Sequence, residues 1–144
     1  MRNYEITRLV KSEDLNHHGT LYAGRSVEWL VEAGFIAAAS EHGDPRDVLC
    51  VKVHGFTFKE PVPPGDIITF RARVVKTGNS SILVYVKATS EISDKAHLDG
   101  FLTFACVEPG TQKPKRHGIV LDEPENSEEQ AIRQRAAKIA ASNL

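Results

Sequence analysis

Residues 4–11 read Tyr-Glu-Ile-Thr-Arg-Leu-Val-Lys. Apolar and polar positions alternate loosely here, which predicts a first strand. Ser12 to Gly19 is polar, carries Asp14, Asn16 and two histidines, and reads as a loop. From Gly24 to His42 the period changes. Val27, Leu30, Val31, Gly34 and Ala38 recur at the spacing of one helix face. Trp29, Phe35, Ile36 and several alanines fill much of the remaining circumference, so this helix is expected to be wrapped by other structure. Gly43 supplies a C-cap, and Pro45 prevents the helix from resuming.

Strand signals follow. A run from Asp47 to Phe58 contains Val48, Cys50, Val51, Val53, Phe56 and Phe58, and the Pro- and Gly-rich stretch Glu60–Asp66 breaks it. Ile68, Phe70, Ala72 and Val74 then alternate with Thr69, Arg71 and Arg73, the period of a strand. Turns at Thr77–Ser80 and Ser93–Lys95 bracket a strand over Ile82–Ala88, and His97–Val107 forms a last one. Glu108 to Glu123 is irregular. Ser127-Glu128-Glu129-Gln130 matches a capping box and starts a helix to about Ala141, whose thin stripe of Ile132, Ala136 and Ile139 suits a surface or interface helix. One helix apolar on most faces, followed by antiparallel strands, predicts an α+β domain with a sheet curved around the helix. The domain is expected over 1–110, with 111–144 as an extension carrying a helix at about 128–141.

Composition narrows the field. A chain of 144 residues is the length of one domain. Lys and Arg number 18 against 19 Asp and Glu, leaving no bulk positive charge to hold nucleic acid. No apolar run approaches the roughly 20 residues of a membrane span, and the first residues show no secretion signal, so a cytoplasmic protein without membrane partners is expected. Cys50 and Cys106 lie in apolar strand-like runs with neither C-x-x-C spacing nor a nearby histidine pair. They are expected to be buried reduced thiols, with no metal site.

Four segments carry a resemblance. Asn16-His17-His18-Gly19-Thr20-Leu21-Tyr22-Ala23-Gly24-Arg25, followed by Glu28-Trp29-Leu30-Val31-Glu32-Ala33, resembles the signature of hotdog-fold acyl-CoA thioesterases. Phe58-Lys59-Glu60-Pro61-Val62-Pro63-Pro64-Gly65-Asp66 is similar to that family's Phe-x-x-Pro-Val-x-x-Gly-Asp, and Gly78-Asn79-Ser80-Ser81 to its Gly-x-Ser-Ser turn. Phe104 fits the last strand. The likeness spans about residues 5–109 and implies the hotdog fold and hydrolysis of an acyl-CoA to a free acid and coenzyme A. No cofactor is then required, because coenzyme A belongs to the substrate. Two departures stand out: Ala23 replaces the first glycine of the family's Gly-Gly pair, and Val31 occupies the position of its helix acid.

The chemistry needs carbonyl polarisation, an activated water or nucleophile, and a positioned substrate. The Tyr22–Arg25 segment offers amide donors at a helix start, and Gly24 would let the substrate approach the backbone. With valine at position 31, Glu32 is the expected base or nucleophile, because it interrupts an apolar stretch where an unpaired carboxylate would be costly. Glu28, four residues earlier on the same face, is the alternative, as is a Glu32 that simply reaches solvent or an ion pair. The resemblance implies that Asn16 helps hold the water or carbonyl. His18 and Arg25 join it as substrate-binding candidates, although His17 and His18 equally suit an ordinary loop. Gly78, Asn79, Ser80 and Ser81 could bind the pantetheine or phosphates, or be a bare hairpin turn. The basic cluster Lys113-Pro114-Lys115-Arg116-His117 could meet the phosphates or be a solvated loop.

Glu32 lies eight residues after Gly24, about 12 Å along a helix. One carbonyl cannot touch both, so donors and acid are expected from different subunits. The resemblance likewise implies sites at a dimer interface, with a tetramer or hexamer within reach. Two other readings compete: an acyl-CoA lyase or hydratase on the same fold, and a non-catalytic acyl-CoA binder, which Val31 motivates.

Overall fold

The computed structural model describes residues 1–142. The chain runs β1 (Tyr4–Leu9), α1 (Ala23–His42), β2 (Val48–Phe58), β3 (Ile67–Thr77), β4 (Ser81–Ser90), β5 (Ala96–Cys106) and α2 (Ser127–Ser142), with short 3-10 helices at Ser12–Asp14 and Pro45–Asp47. The strands form one antiparallel sheet in the order β1-β3-β4-β5-β2.

The sheet curves over α1. Trp29, Leu30, Ala33, Ala37 and Ala38 of the helix are buried against Phe70, Ala72, Val84, Leu102 and Phe104 of the strands. Contact is close enough that a Cβ on Gly34 would stand 3.1 Å from Leu102 Cδ1. This is why a glycine occupies a helix interior that otherwise disfavours it. Gly43 ends α1 at φ 98°, its amide donating to the Ala39 carbonyl.

The wrapping is one-sided, which corrects the expectation from composition. Glu28, Glu32 and Ser40 of α1 are exposed, and Phe35 and Ile36 are only half-buried. The strand β2 departs in the same sense. Among the described residues it is a sheet edge, paired to β5 alone, and Leu49, Val51 and Val53 are at least 38% exposed. Cys50 shares that exposure, so only Cys106 is the buried thiol that the apolar runs suggested.

On the opposite face, α2 lays Ile132 and Ala136 over Val75, Leu83, Tyr85 and Phe101. Ion pairs hold it there. Glu129 meets both Arg73 and Arg133, and Arg133 also reaches Asp122, which binds the N-terminal ammonium. No helix among the described residues is long and apolar enough to cross a membrane.

Candidate active site

The loop before α1 is built by side chains that act as backbone partners. Asn16 Oδ1 accepts from the amides of His18 (2.9 Å) and Thr20 (3.2 Å), closing a tight turn. Asn16 Nδ2 donates to Thr20 Oγ1 at 3.2 Å, which uses one of its two protons. Asp14 is buried, accepts from the Lys11 amide, and pairs with Arg25 at 3.3 Å. The Leu21 amide donates to the Val62 carbonyl, and the Val10 and Gly65 amides tie β1 to the Pro64–Asp66 turn. The Pro-Val-x-x-Gly-Asp segment thus anchors the loop that leads into the helix. Asp66 completes the anchor by accepting from the Ser90 hydroxyl at 2.7 Å.

The helix start itself is uncapped. Tyr22 stands at the N-cap with no side-chain hydrogen bond to the helix. The amides of Arg25 and Ser26 both donate to its carbonyl, and among the described residues the amides of Ala23 and Gly24 have no acceptor. Two donors and the positive end of a helix of 20 residues are left for a ligand.

A cavity of about 330 Å³ opens at this point. Asn16, Thr20, Ala23 and Ser26 form its polar side, while Leu21, Phe58, Val62 and Leu98 form apolar walls. His97, 2% exposed, closes it from β5, with Nδ1 donating to the Glu60 carbonyl at 3.1 Å. Its Nε2 lies 3.5 Å from Asp66 without hydrogen-bond geometry. The sequence does not single out Thr20, Ser26 or His97: Thr20 and Ser26 are held locally, by Asn16 and by the Ala23 carbonyl, and His97 is brought here from β5 by tertiary packing.

The other sequence candidates are dispersed. Gly24 sits in the exposed first turn against the Tyr22 ring, outside the cavity lining. Arg25 is committed to Asp14 and lies 3.6 Å from Glu28. His18 is exposed, its ring against that of His17. Glu32 is neither unpaired nor enclosed: its half-exposed carboxylate receives Arg8 Nη2 at 2.8 Å, on the outward face of α1. That removes the desolvation argument for Glu32 within a single chain. Val31, in contrast, is half-buried and packs on the core.

The turn Gly78–Ser81 stands at the far end of the sheet. Ser81 pairs with Ala105, whereas the cavity residue Leu98 is seven positions earlier on β5, about 23 Å away. Much of the turn is internally engaged. The Gly78 amide donates to Ser81 Oγ, and the carbonyls of Gly78, Asn79 and Ser80 accept from His117 Nε2 and from the His117 and Cys106 amides. The structure therefore joins this turn to the basic segment 113–117, not to Asn16 or the helix start.

Residues 18–96 match the family model described as Thioesterase superfamily. A Buchnera aphidicola subsp. Schizaphis graminum protein named as an uncharacterized acyl-CoA thioester hydrolase is 37% identical over 79 residues, covering 55% of this chain and 57% of that protein. The chain spans about three fifths of the length of the named relatives it matches. Among solved structures, an acyl-CoA hydrolase from Staphylococcus aureus, in complex with butyryl coenzyme A, coenzyme A and coenzyme A disulfide, superposes with a TM-score of 0.85 at 25% identity, over 98% of this chain and 83% of that one. A hexameric acyl-CoA thioesterase gives the same TM-score at 26% identity, over 97% and 89%.

Proposed function

This chain belongs to the thioesterase superfamily and has its hotdog fold, and on that premise we propose that it hydrolyses an acyl-CoA thioester to a free carboxylic acid and coenzyme A. One observation carries the reading: a half-apolar cavity opens beside two unpaired amides at the start of α1, with Ala23 in its lining and Gly24 outside it, next to an Asn16 with a proton to spare.

In this reading the acyl chain lies against Leu21, Phe58, Val62 and Leu98. The thioester oxygen, which gains negative charge as the tetrahedral intermediate forms, points at the Ala23 and Gly24 amides. The second Nδ2 proton of Asn16 orients the attacking water or the carbonyl, while Oδ1 keeps the loop closed. A carboxylate removes the water proton. Glu32 fills that role only in a second copy of the chain, since the outward face of α1 does not reach its own cavity.

Self-association is part of the proposal. Two β2 edges pairing antiparallel about a two-fold axis would cover Leu49, Val51 and Val53 and satisfy both rows of unpaired backbone groups. Such pairing sets the Phe58 end of one β2 beside the Val48 end of the other. The Gly78–Ser81 turn and segment 113–117 of the partner would then approach this chain's cavity from its far end, where the phosphates of coenzyme A would extend. Higher assembly, to a tetramer or hexamer, would use α2. A reducing cytoplasm suits the two unbridged cysteines.

Release of free thiol from short, medium, long and aromatic acyl-CoAs tests the activity. Turnover of one class supports hydrolysis. A changed acyl group on an intact thioester would identify a lyase or hydratase instead. Saturable binding without turnover would favour the non-catalytic binder that Val31 suggests.

A further inference from the structure

At the opposite end of α1, three side chains gather around the buried carboxylate of a fourth, Asp47. His42 closes the helix, Asp47 ends the following 3-10 helix, Cys106 ends β5, and Lys115 comes from the extension. Asp47 Oδ2 receives His42 Nε2 at 2.8 Å and Lys115 Nζ at 2.8 Å. Cys106 Sγ lies 3.6 Å from His42 Nε2 and 3.9 Å from Nδ1. The side chains of His42 and Asp47 are at most 9% exposed, and Cys106 is fully buried.

We infer that His42, Asp47 and Cys106 form a binding site for a divalent transition-metal ion of the zinc class. Three chemically distinct donors, an imidazole nitrogen, a carboxylate oxygen and a thiol sulfur, lie within 4.8 Å of one another. That set suits borderline-soft ions, which bind S, N and O at about 2.0–2.3 Å. The 3.6 Å between Cys106 Sγ and His42 Nε2 is compatible with both binding one tetrahedral ion at those lengths.

The surroundings favour added positive charge. The carbonyl end of α1 points here and Asp47 is buried, while the nearby Asp44 is paired with Arg46. Lys115 already supplies a cation to Asp47, through a stem whose side chain is 43% exposed and can withdraw to solvent. On metal binding the thiol proton leaves to solvent and sulfur becomes the anionic ligand, His42 carries its ring proton on Nδ1 instead of Nε2 so that Nε2 can ligate, and the ammonium gives up its place beside Asp47. A fourth position is then free for water. Cys106 lies 64 positions from His42, so no local spacing in the sequence points to this grouping.

Cobalt(II) added to the full chain reads the thiolate directly through sulfur-to-cobalt charge-transfer absorption, and zinc chloride should bleach it. The expected result is a band saturating at one cobalt per chain, kept in Cys50→Ser and lost in Cys106→Ser and His42→Gln. The exposed Lys115→Met should leave the fold intact and tighten binding about tenfold or more by removing the competing cation. Absence of a thiolate band in the native chain, its survival in Cys106→Ser, or unchanged or weaker affinity in Lys115→Met would each overturn the inference. Circular dichroism of every variant separates lost ligation from lost fold.

Discussion

Asn16 does two jobs with two ends of one amide. Its oxygen holds the turn before α1, and its nitrogen keeps a proton for a ligand. Glu32 does one visible job, receiving Arg8 from β1. If Glu32 is the base supplied across a subunit boundary, Glu32→Gln lowers turnover at least about a hundredfold, leaving substrate binding and thermal stability nearly unchanged. Near-normal turnover in steady-state kinetics would leave Glu32 as an ordinary ion-pair partner. The motif around Asn16 was legible because its hydrogen bonds span two to four residues. The Arg8–Glu32 pair was not, because 24 residues and a strand–helix contact separate its members.

At the scale of elements, period and punctuation carried most of the reading. The alternation of Ile68, Phe70, Ala72 and Val74 became the buried row of β3, and Gly43 closed α1 as a left-handed cap. What periodicity could not convey was position in the sheet. The strand β2 is as apolar as a central strand but lies at the edge, which exposes Cys50 and Val51. Gly34 marks the helix–sheet approach, and Gly34→Leu is expected to cost about 1–3 kcal/mol by overpacking Leu102, measurable by urea unfolding. The α2 contact rests on Glu129. Burial pushes its carboxyl up, but Arg73 and Arg133 outweigh that and hold it below the ordinary glutamate value of 4.5. A depressed folded value contributes stability that is full above pH 4.5 and lost as pH falls through the folded value. Glu129→Gln should therefore lower the melting temperature at neutral pH, with the gap from the native chain shrinking as the pH falls below that range. A constant gap would assign the loss to packing alone.

At the scale of the molecule, the described residues leave the β2 edge of the sheet and the outward face of α1 uncovered, and Glu32 on that face stands outside the lining of the chain's own cavity. Covering them with a second copy would bring the Glu32 carboxylate towards a cavity whose own lining acid, Glu60, is paired with Lys95. Val51→Lys, which places a charge on that edge, is predicted to give monomers in analytical ultracentrifugation and to lose most of the turnover. Full turnover by a monomer would mean that the cavity, the two amides and Asn16 suffice within one chain.

The most direct measurement is the rate of thiol release by Asn16→Asp, on whichever acyl-CoA the native chain turns over best. This change keeps the oxygen that closes the loop and deletes the nitrogen donor. Turnover should fall by about a hundredfold, as for loss of one donor at a developing oxyanion, with melting temperature and KM little changed. Undiminished thiol release from this variant would contradict a reaction centred on the start of α1.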